Sequence, residues 1–244
     1  MPRIDGYCTI GLPGDEEPSA RDLLGLMDRV GIEQAVIAPP VRCFAWQNAE
    51  GNDAVLAAAA DHPGRFIPAV TVNPWRPDGP QMAVDCLRRG GRMLAFDPDC
   101  QGFNPCEGRL DAILWRVADE GLTVPVYIHT GQHSHGAPSQ LALLARRFPQ
   151  MDFIMGHSGA TDYGSDVAAA CSLAGNIVIE SSFARPPAFL ARAAAVGFDR
   201  AIMGSGHPYN ELGFEWSFMQ RLLPAEPRDA VLGGNLVRLL ERRR

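Results

Sequence analysis

The feature that most constrains the fold of this chain is a regular alternation of short apolar runs with amphipathic helical stretches, repeated eight times. Apolar runs of this length are typical of strands that are buried on both faces of a parallel sheet. The predicted strands are Arg3–Thr9, Gln34–Ala38, Phe66–Val72, Arg92–Asp97, Val124–His129, Phe153–His157, Ile177–Glu180 and Arg200–Gly204. The predicted helices are Ser19–Val30, Asn52–His62, Gln81–Arg89, Leu110–Glu120, Pro138–Arg147, Asp166–Ala174, Pro187–Ala195 and Arg228–Arg242.

These strand–helix units predict an α/β fold, a single (β/α)8 TIM barrel. An open doubly wound sheet would alternate in the same way, but eight regular repeats favour closure. The length of 244 residues suits a barrel with short connections, and the 46% of residues that are apolar suffice to fill its interior. No linker rich in Gly, Ser or Pro divides the chain, so we predict one domain over residues 1–244.

The charge pattern and the cysteines narrow the class of protein. The formal net charge is −6 and the basic residues are scattered apart from residues 242–244, so we expect no nucleic-acid partner. No uncharged apolar stretch is long enough to cross a bilayer, and no signal-peptide pattern is found. The six cysteines form no CxxC pair, which is typical of a reduced cytoplasmic protein.

Side chains at the C-terminal ends of barrel strands converge on the active site. This rule selects a set of candidate residues, which includes five of the six histidines. The candidates are Asp5, Tyr7 and Thr9 on strand one, Asp97 and Asp99 on strand four, His129, His133 and His135 after strand five, His157 on strand six, Glu180 on strand seven, and Ser205, Gly206 and His207 after strand eight.

Several short motifs follow one another along the chain between Arg3 and Leu240. Ile4-Asp5 lies on strand one, and Asn52 opens the second helix. Residues 125–131 read Pro-Val-Tyr-Ile-His-Thr-Gly, residues 154–157 read Ile-Met-Gly-His, and residues 234–240 read Gly-Asn-Leu-Val-Arg-Leu-Leu. Together they resemble the amidohydrolase superfamily, in particular the amidohydrolase-related branch of aminocarboxymuconate semialdehyde decarboxylase and pyrone dicarboxylate lactonase.

The resemblance implies a divalent metal held by two strand-one histidines, a strand-five histidine and a strand-eight aspartate, with a strand-six histidine that binds substrate or moves protons. In this chain the strand-one positions are Tyr7 and Thr9, and the aspartate is replaced by Gly206. His129 and His157 remain. A catalytic zinc generally needs about three protein ligands, so we expect the inherited metal site to be degenerate and no cofactor to be bound.

A displaced metal site is a second possibility. The loop histidines His133 and His135 together with His129, His157 and Asp97 offer ligands of the types that a divalent ion such as zinc prefers. The alternative is that these histidines point elsewhere, since a His-x-His pair is common in glycine-flanked loops.

Metal-independent chemistry is the other option. His129 or His157 would act as general base, and Asp97 would orient an imidazole or act itself as acid or base. Tyr7 would donate a hydrogen bond to a developing oxyanion. The pyrone lactonase that the chain resembles works without a divalent metal. The structural alternative for Tyr7 is a plug that fills the vacated metal pocket.

Three arginines follow strands two, three and seven, where a guanidinium would suit a carboxylate. They are Arg42, Arg76 and Arg185, and the alternative for each is a solvated loop residue. Two tryptophans in the same loops would wall a ring-binding pocket or form an interface. The predicted substrate-binding set is completed by Trp46, Trp75, Thr9, Glu180 and His207.

Cysteines near the strand ends are further candidates for a nucleophile. Alternation along strand one points Cys8 away from the barrel axis, whereas Cys100 and Cys106 flank a loop near the mouth and are the better candidates for reactive thiols.

The favoured function is that of an amidohydrolase-family hydrolase, or a decarboxylase or other lyase, acting on a small, carboxylated molecule. The alternative is a catalytically inactive protein that serves as a binding or structural partner. The first predicts a pocket shared by His129 and His157, and the second predicts a cavity filled by Tyr7 and Phe96. The resemblance also implies a homo-oligomer.

Overall fold

The computed structural model describes residues 1–131, 135–160 and 162–242. Eight parallel strands form one sheet in chain order. The strands are β1 Ile4–Thr9, β2 Gln34–Ala38, β3 Phe66–Val70, β4 Met93–Phe96, β5 Val126–His129, β6 Phe153–Gly156, β7 Ile177–Glu180 and β8 Ala201–Ile202. Backbone hydrogen bonds from Gly6 N to Met203 O (2.8 Å) and from Thr9 N to His207 O (2.8 Å) join β1 to the segment after β8, which confirms the predicted (β/α)8 barrel.

Helices connect the strands and cover the outside of the sheet. Their bounds are α1 Ala20–Val30, α2 Arg42–Ala45, α3 Asn48–Asp61, α4 Gly79–Arg88, α5 Pro98–Gln101, α6 Asp111–Asp119, α7 Pro138–Arg147, α8 Val167–Leu173, α9 Pro186–Val196, α10 Leu212–Leu222, α11 Ala225–Asp229 and α12 Asn235–Glu241. A π-helical turn, Ala230–Gly234, joins α11 to α12, so the predicted last helix is divided. No helix within the described ranges is both long and apolar enough to cross a membrane.

Helix α10 was not predicted from the sequence. Its buried residues Leu212, Trp216 and Met219 follow a helical spacing of four and three residues, and Glu211 caps its start by accepting the N–H groups of Gly213 and Phe214. The helix packs against α1 on the outer face of the barrel. The helical spacing of apolar residues is therefore visible in the sequence, but this stretch lies outside the eight strand–helix units from which the helices are predicted.

A bulge in β1 between Asp5 and Cys8 sets which of its side chains face the barrel interior. Ile4 and Tyr7 belong to the interior cluster, and Cys8 packs in the outer cluster between sheet and helices, as predicted. The inward direction predicted for Asp5 by strict alternation is corrected. Its Oδ1 accepts the backbone N–H of Ser205 at 2.8 Å, on the same side as Cys8.

The N-terminal end of the barrel is covered by α12, on the side opposite the strand ends that carry the candidate residues. Leu236 and Leu239 of this helix join the interior cluster with Ile4 and Met93, which lie at the starts of their strands. Arg242 Nη1 reaches Asp152 Oδ1, just before β6, at 3.1 Å. The C-terminal helix is thus a structural cap.

We expect Leu236→Ala to lower the free energy of unfolding by about 2–5 kcal/mol, because it opens a cavity against the barrel interior. Leu143→Ala is the control, since the Leu143 side chain on α7 is 48% exposed and its loss should change stability by less than about 0.5 kcal/mol. Urea denaturation of both variants measures the difference. Equal losses would contradict the capping role of α12.

Candidate active site

A cavity of about 360 Å³ opens at the C-terminal ends of the strands. Its outer wall is formed by half-exposed apolar and aromatic side chains, and its floor is polar. The lining residues are Tyr7, Thr9, Val41, Asp97, His129, His157, Phe183 and Tyr209. The two histidines therefore share one cavity. Phe96 does not fill it, because that side chain packs in the outer cluster between sheet and helices.

A chain of hydrogen bonds runs along the floor of this cavity. Tyr7 Oη lies 2.7 Å from His129 Nε2, and His129 Nδ1 lies 2.8 Å from His157 Nε2. His157 Nδ1 lies 2.8 Å from Ser182 Oγ, and the Ser182 hydroxyl donates to Glu180 Oε2 at 2.7 Å. We call these five residues the relay. It links a cavity-lining phenol to a fully buried carboxylate.

The carboxylate fixes the direction of every bond in the relay. Because the Ser182 hydroxyl donates its proton to Glu180, Ser182 Oγ accepts from His157 Nδ1–H. His157 Nε2 is then an acceptor, so His129 Nδ1 carries the proton between the two rings. His129 Nε2 is left to accept from the Tyr7 hydroxyl. All four imidazole nitrogens are engaged, so neither histidine offers a free lone pair to the cavity.

Burial keeps both imidazoles neutral. It lowers the pKa of His129 from 6.5 to about 3 and lowers the pKa of His157 well below its ordinary value. For His157 the neighbouring His129 ring lowers the pKa further, against a smaller opposite effect of Asp97. Burial also raises the pKa of Glu180, while hydrogen bonds from Ser182, Tyr127 and the His157 N–H partly offset this.

Asp97 is the acidic group that faces the cavity. Its Oδ1 accepts the backbone N–H groups of Asp99 (3.1 Å) and Cys100 (3.0 Å), so the residue caps α5. Within the described residues no hydrogen bond reaches Oδ2. Burial raises the pKa of Asp97 above its ordinary value despite these backbone hydrogen bonds and the nearby His157. The Asp97 side chain is therefore held in one orientation through Oδ1, and its Oδ2 has no hydrogen-bond partner among the described residues.

Small residues make room for the relay. Tyr127 stacks on Tyr7 with ring centroids 4.4 Å apart and donates to Glu180 Oε2 at 2.7 Å. A Cβ at Gly156 would lie 2.4 Å from the Tyr127 ring, and a Cβ at Gly204 would lie 2.2 Å from Glu180 Oε1. Glycine is required at the end of β6 and just after β8, because the side chains of Tyr127 and Glu180 lie too close to the backbone there for a Cβ atom.

The backbone at the site is strained. Among the described residues, positive φ occurs at four non-glycine positions, His157 (64°), Ser158 (46°), Ala160 (40°) and Phe183 (58°). All four follow β6 or β7, and two of them line the cavity. Arg192 holds the first of these segments by donating to Ser158 O at 2.7 Å and to Ala160 O at 2.8 Å. Such conformations persist only where their surroundings impose them.

The three predicted arginines lie outside the cavity lining. Arg42 forms ion pairs with Asp15 and Glu17, and Arg76 pairs with Asp78 beside it in the chain. Arg185 is exposed just before α9. The charges of Arg42 and Arg76 are therefore neutralised by nearby carboxylates.

Of the remaining predicted substrate-binding residues, one lines the cavity and four do not. Thr9 lines the cavity, whereas Trp46 is 73% exposed, and Trp75 lies beneath the Arg109 guanidinium at 3.9 Å. Glu180 lies below the cavity as the end of the relay. His207 is buried outside the lining, where its backbone N–H donates to Ser205 Oγ.

The cysteines do not supply a nucleophile to the cavity. Cys100 is half-buried, its thiol donates to Val41 O, and burial raises its pKa to about 11. Cys106 is half-buried beside α7, where Arg147 donates to its carbonyl. Neither thiol lines the cavity.

The residues at the inherited metal positions do not fit a divalent ion. The lone pair of His129 Nε2 is taken by the Tyr7 hydroxyl, and Thr9 offers only a neutral hydroxyl. Gly206 has no side chain, its φ is 72°, and a Cβ there would lie 2.9 Å from Phe183 Cε2. In the described part of the chain, no three His, Cys, Asp or Glu side chains are grouped as a metal site.

The predicted displaced site is only partly described. His133 lies outside the described residues. His135 Nδ1 lies 3.5 Å from Asp99 Oδ1 and is half-buried, and His135 is not among the cavity-lining residues. A metal bound jointly by this loop and the relay stays a prediction.

Sequence reasoning missed several functional positions. Tyr127 lies two residues before His129, and Ser182 lies two residues after Glu180, so the two-residue period of a strand could have placed each pair on one face. Phe183 and Tyr209, which wall the cavity, follow strand ends in loops and carry no such period.

Comparisons with known proteins agree with this architecture. The sequence model of the family described as Amidohydrolase (Amidohydro_2) matches residues 15–242. No curated protein sequence matches the chain. Solved structures similar in fold include 2,6-dihydroxybenzoate decarboxylase from Rhizobium, with a TM-score of 0.74, 15% identity and 99% of each chain covered.

Two further structures extend the comparison. A probable 2-pyrone-4,6-dicarboxylic acid hydrolase from Acinetobacter baumannii with bound citric acid has a TM-score of 0.73 and 16% identity, covering 99% of this chain and 100% of the other. A dihydroxybenzoic acid decarboxylase from Polaromonas sp. JS666, with manganese and the inhibitor 2-nitroresorcinol, has a TM-score of 0.77 and 13% identity, covering 100% of this chain and 98% of the other. At these identities the likeness concerns the fold.

The buried neutral histidines predict that the protein loses stability in mild acid. In the unfolded chain an imidazole gains a proton as the pH falls below about 6.5, whereas folded His129 resists protonation down to about 3. Between these values protonation favours the unfolded chain by about 1.4 kcal/mol per pH unit for this residue. Urea denaturation at several pH values should show that slope reduced in His129→Asn and retained in His62→Asn.

An unchanged slope in His129→Asn would contradict the neutral state of this ring. If the variant does not fold, the ¹⁵N chemical shifts of the wild-type imidazoles between pH 7 and 5 test the same point, since both rings should stay neutral.

The crowding at Gly206 predicts that the missing aspartate cannot simply be restored. Gly206→Asp should destabilise the fold by about 1–3 kcal/mol more than Gly64→Asp, because the new side chain meets Phe183. Gly64 is a matched control, with a φ of 79° and no atom within 4 Å of a new Cβ. Thermal or urea denaturation measures both. Equal effects would mean that the position is open to a ligand.

Proposed function

The chain belongs to the amidohydrolase family, and we propose that it is an enzyme that acts on a small ring-shaped molecule by acid–base chemistry of its own side chains, with the inherited metal site lost. The reaction class is hydrolysis or a lyase reaction; decarboxylation is the less favoured lyase reaction, because no described cation lines the cavity to bind a carboxylate. The observation that carries the proposal is that Asp97 and Tyr7 line the same cavity, with the Tyr7 hydroxyl oriented by two neutral histidines.

Asp97 is the proposed general acid or base. Its Oδ2 accepts no hydrogen bond from a described residue while two backbone N–H groups hold Oδ1, so the side chain does not have to reorganise when a substrate arrives. Burial raises its pKa, which brings it closer to neutrality and makes the carboxylate a better proton acceptor. The histidines are less suited to this task because both nitrogens of each ring are occupied.

Tyr7 is the proposed second group, and the relay sets its protonation. Tyr7 Oη keeps a free lone pair toward the cavity. When it accepts a substrate proton, its own proton moves to His129 Nε2, and the Nδ1 proton of each histidine moves on to the next acceptor. Ser182 Oγ accepts the proton from His157 Nδ1, and the Ser182 hydroxyl passes its own proton to Glu180. Both histidines change tautomer and stay neutral, so no imidazolium forms where burial disfavours it.

The shape of the cavity supports a flat, small ligand. Phe183 and Tyr209 form an aromatic wall, with ring centroids 6.2 Å apart, and Val41 adds an apolar surface. The similar structures described above are named for enzymes of dihydroxybenzoates and a pyrone dicarboxylate, which are also rings. The resemblance and three arginines predict a carboxylated substrate, but the arginines do not line the cavity and so do not support that prediction.

A non-catalytic binding protein is the second candidate function. It is favoured by one observation, that every imidazole nitrogen of the pair is satisfied inside the protein. In that case the cavity binds the same kind of ring without converting it to a product, and Asp97 only contacts the bound ring.

The test is a turnover screen of dihydroxybenzoates, carboxyvanillate, pyrone dicarboxylate and the matching amides and lactones, with and without a chelator. We expect an activity on the amides or lactones that survives the chelator and falls about 10²–10⁴-fold in Asp97→Asn. Asp99→Asn is the matched control, since it removes a carboxylate two residues away that does not line the cavity. The acidic limb of the pH profile, which reports protonation of Asp97, should disappear in Asp97→Asn.

Restoration of activity by added manganese or zinc after chelation would overturn the metal-independent mechanism. Equal loss in the two aspartate variants would overturn the role of Asp97. Binding without turnover by any of these compounds would favour the non-catalytic candidate.

A further inference from the structure

We infer that the cavity selects neutral or cationic rings and rejects carboxylates. The inference rests on the proposed function in one respect, that this cavity is the ligand site, and it deepens that proposal by naming the charge of the ligand.

The charge of the lining residues is the first argument. Of the eight residues that line the cavity in the described structure, Asp97 is the only one that carries a formal charge. Both histidines are neutral, and the others are hydroxyl-bearing, aliphatic or aromatic. A carboxylate placed on this floor would meet another carboxylate and no cation.

The second argument is that the arginines are committed elsewhere. All 22 basic residues of the chain are arginines, and none of those in the described ranges lines the cavity. Arg42 is bound by two carboxylates, Arg109 lies over Trp75, and Arg192 holds backbone carbonyls. The internal residues outside the described ranges, 132–134 and 161, include no arginine. A carboxylate entering the cavity would therefore find no cationic partner among the described lining residues.

The third argument is the surplus of acceptors. Asp97 Oδ2 accepts no hydrogen bond from a described residue, and Tyr7 Oη, whose proton is given to His129, presents a lone pair. A ligand group with N–H or O–H donors satisfies both. A carboxylate can donate to neither, and an unpaired buried charge is strongly disfavoured. An amide, an amidine, an aminated ring or a phenol fits this pattern.

A series of ligands with one shape and three charges tests the inference. Benzoate, benzamide and benzamidine share a ring with a planar three-atom group and carry charges of −1, 0 and +1. Their affinities at pH 8 can be measured by ligand-observed NMR, with the His129 and His157 imidazole shifts as the site-specific readout. We expect benzamidine and benzamide to bind at least about tenfold more tightly than benzoate.

Two variants assign the selection to its cause. In Asp97→Asn the affinities of benzoate and benzamidine should converge to within about threefold, because the like charge is gone. In Asp99→Asn the wild-type order should persist, although the change in net charge is the same. Circular dichroism and thermal denaturation establish that both variants are folded.

Each other outcome counts against the inference in a distinct way. Tightest binding of benzoate would overturn it and leave the proposed function intact. Selection that persists in Asp97→Asn would assign the effect to another part of the molecule and overturn the argument from Asp97. Failure of all three rings to bind, with no shift of either imidazole, would overturn both the inference and the proposed ring-binding function.

Discussion

The Glu180 carboxylate, buried at the end of β7, accepts hydrogen bonds from the hydroxyls of Ser182 and Tyr127 and from the backbone N–H groups of His157 and Ser182. Four donors can stabilise an ionised carboxylate away from water, where an unpartnered charge would be prohibitive. Because this acceptor is fixed, the tautomers of both histidines and the direction of the Tyr7 hydroxyl follow from it. Glu180, which lies beneath the cavity, thus sets the orientation of the polar groups on its floor.

This arrangement also accounts for the side chains at the positions where the family resemblance predicts metal ligands. A divalent ion would orient His129 and neutralise acidic groups. Here the Tyr7 hydroxyl occupies His129 Nε2, and the Phe183 side chain lies where a side chain at residue 206 would begin. These contacts belong to a network of neutral side chains above the Glu180 carboxylate. The phenol at residue 7 stacks on Tyr127, and Tyr127 in turn occupies the space that Gly156 leaves.

The sequence specified the barrel well because strand and helix periodicity is a local property. The candidates His129, His157 and Glu180 followed from the rule that the C-terminal ends of barrel strands converge on the active site. The partners of Arg42 did not, because its ion pairs join residues 25 and 27 positions apart whose meeting depends on loop paths. The engagement of all imidazole nitrogens was equally hidden, since it depends on Ser182 and Glu180 lying beneath His157. A residue type indicates available chemistry, whereas its neighbours decide which atoms remain free.

The strained backbone around His157 and Phe183 bears on whether the cavity is a working site. Each non-glycine residue at positive φ costs on the order of 1–3 kcal/mol, and four of them surround this floor. Arg192 holds Ser158 and Ala160 in place, at the cost of partial burial that lowers the pKa of its guanidinium. A side chain that merely filled a vacated pocket would need neither the strain nor this guanidinium. Both fit a floor whose polar atoms must be held in one orientation, because the orientation of a few donors and acceptors is what a binding or catalytic site of this size depends on.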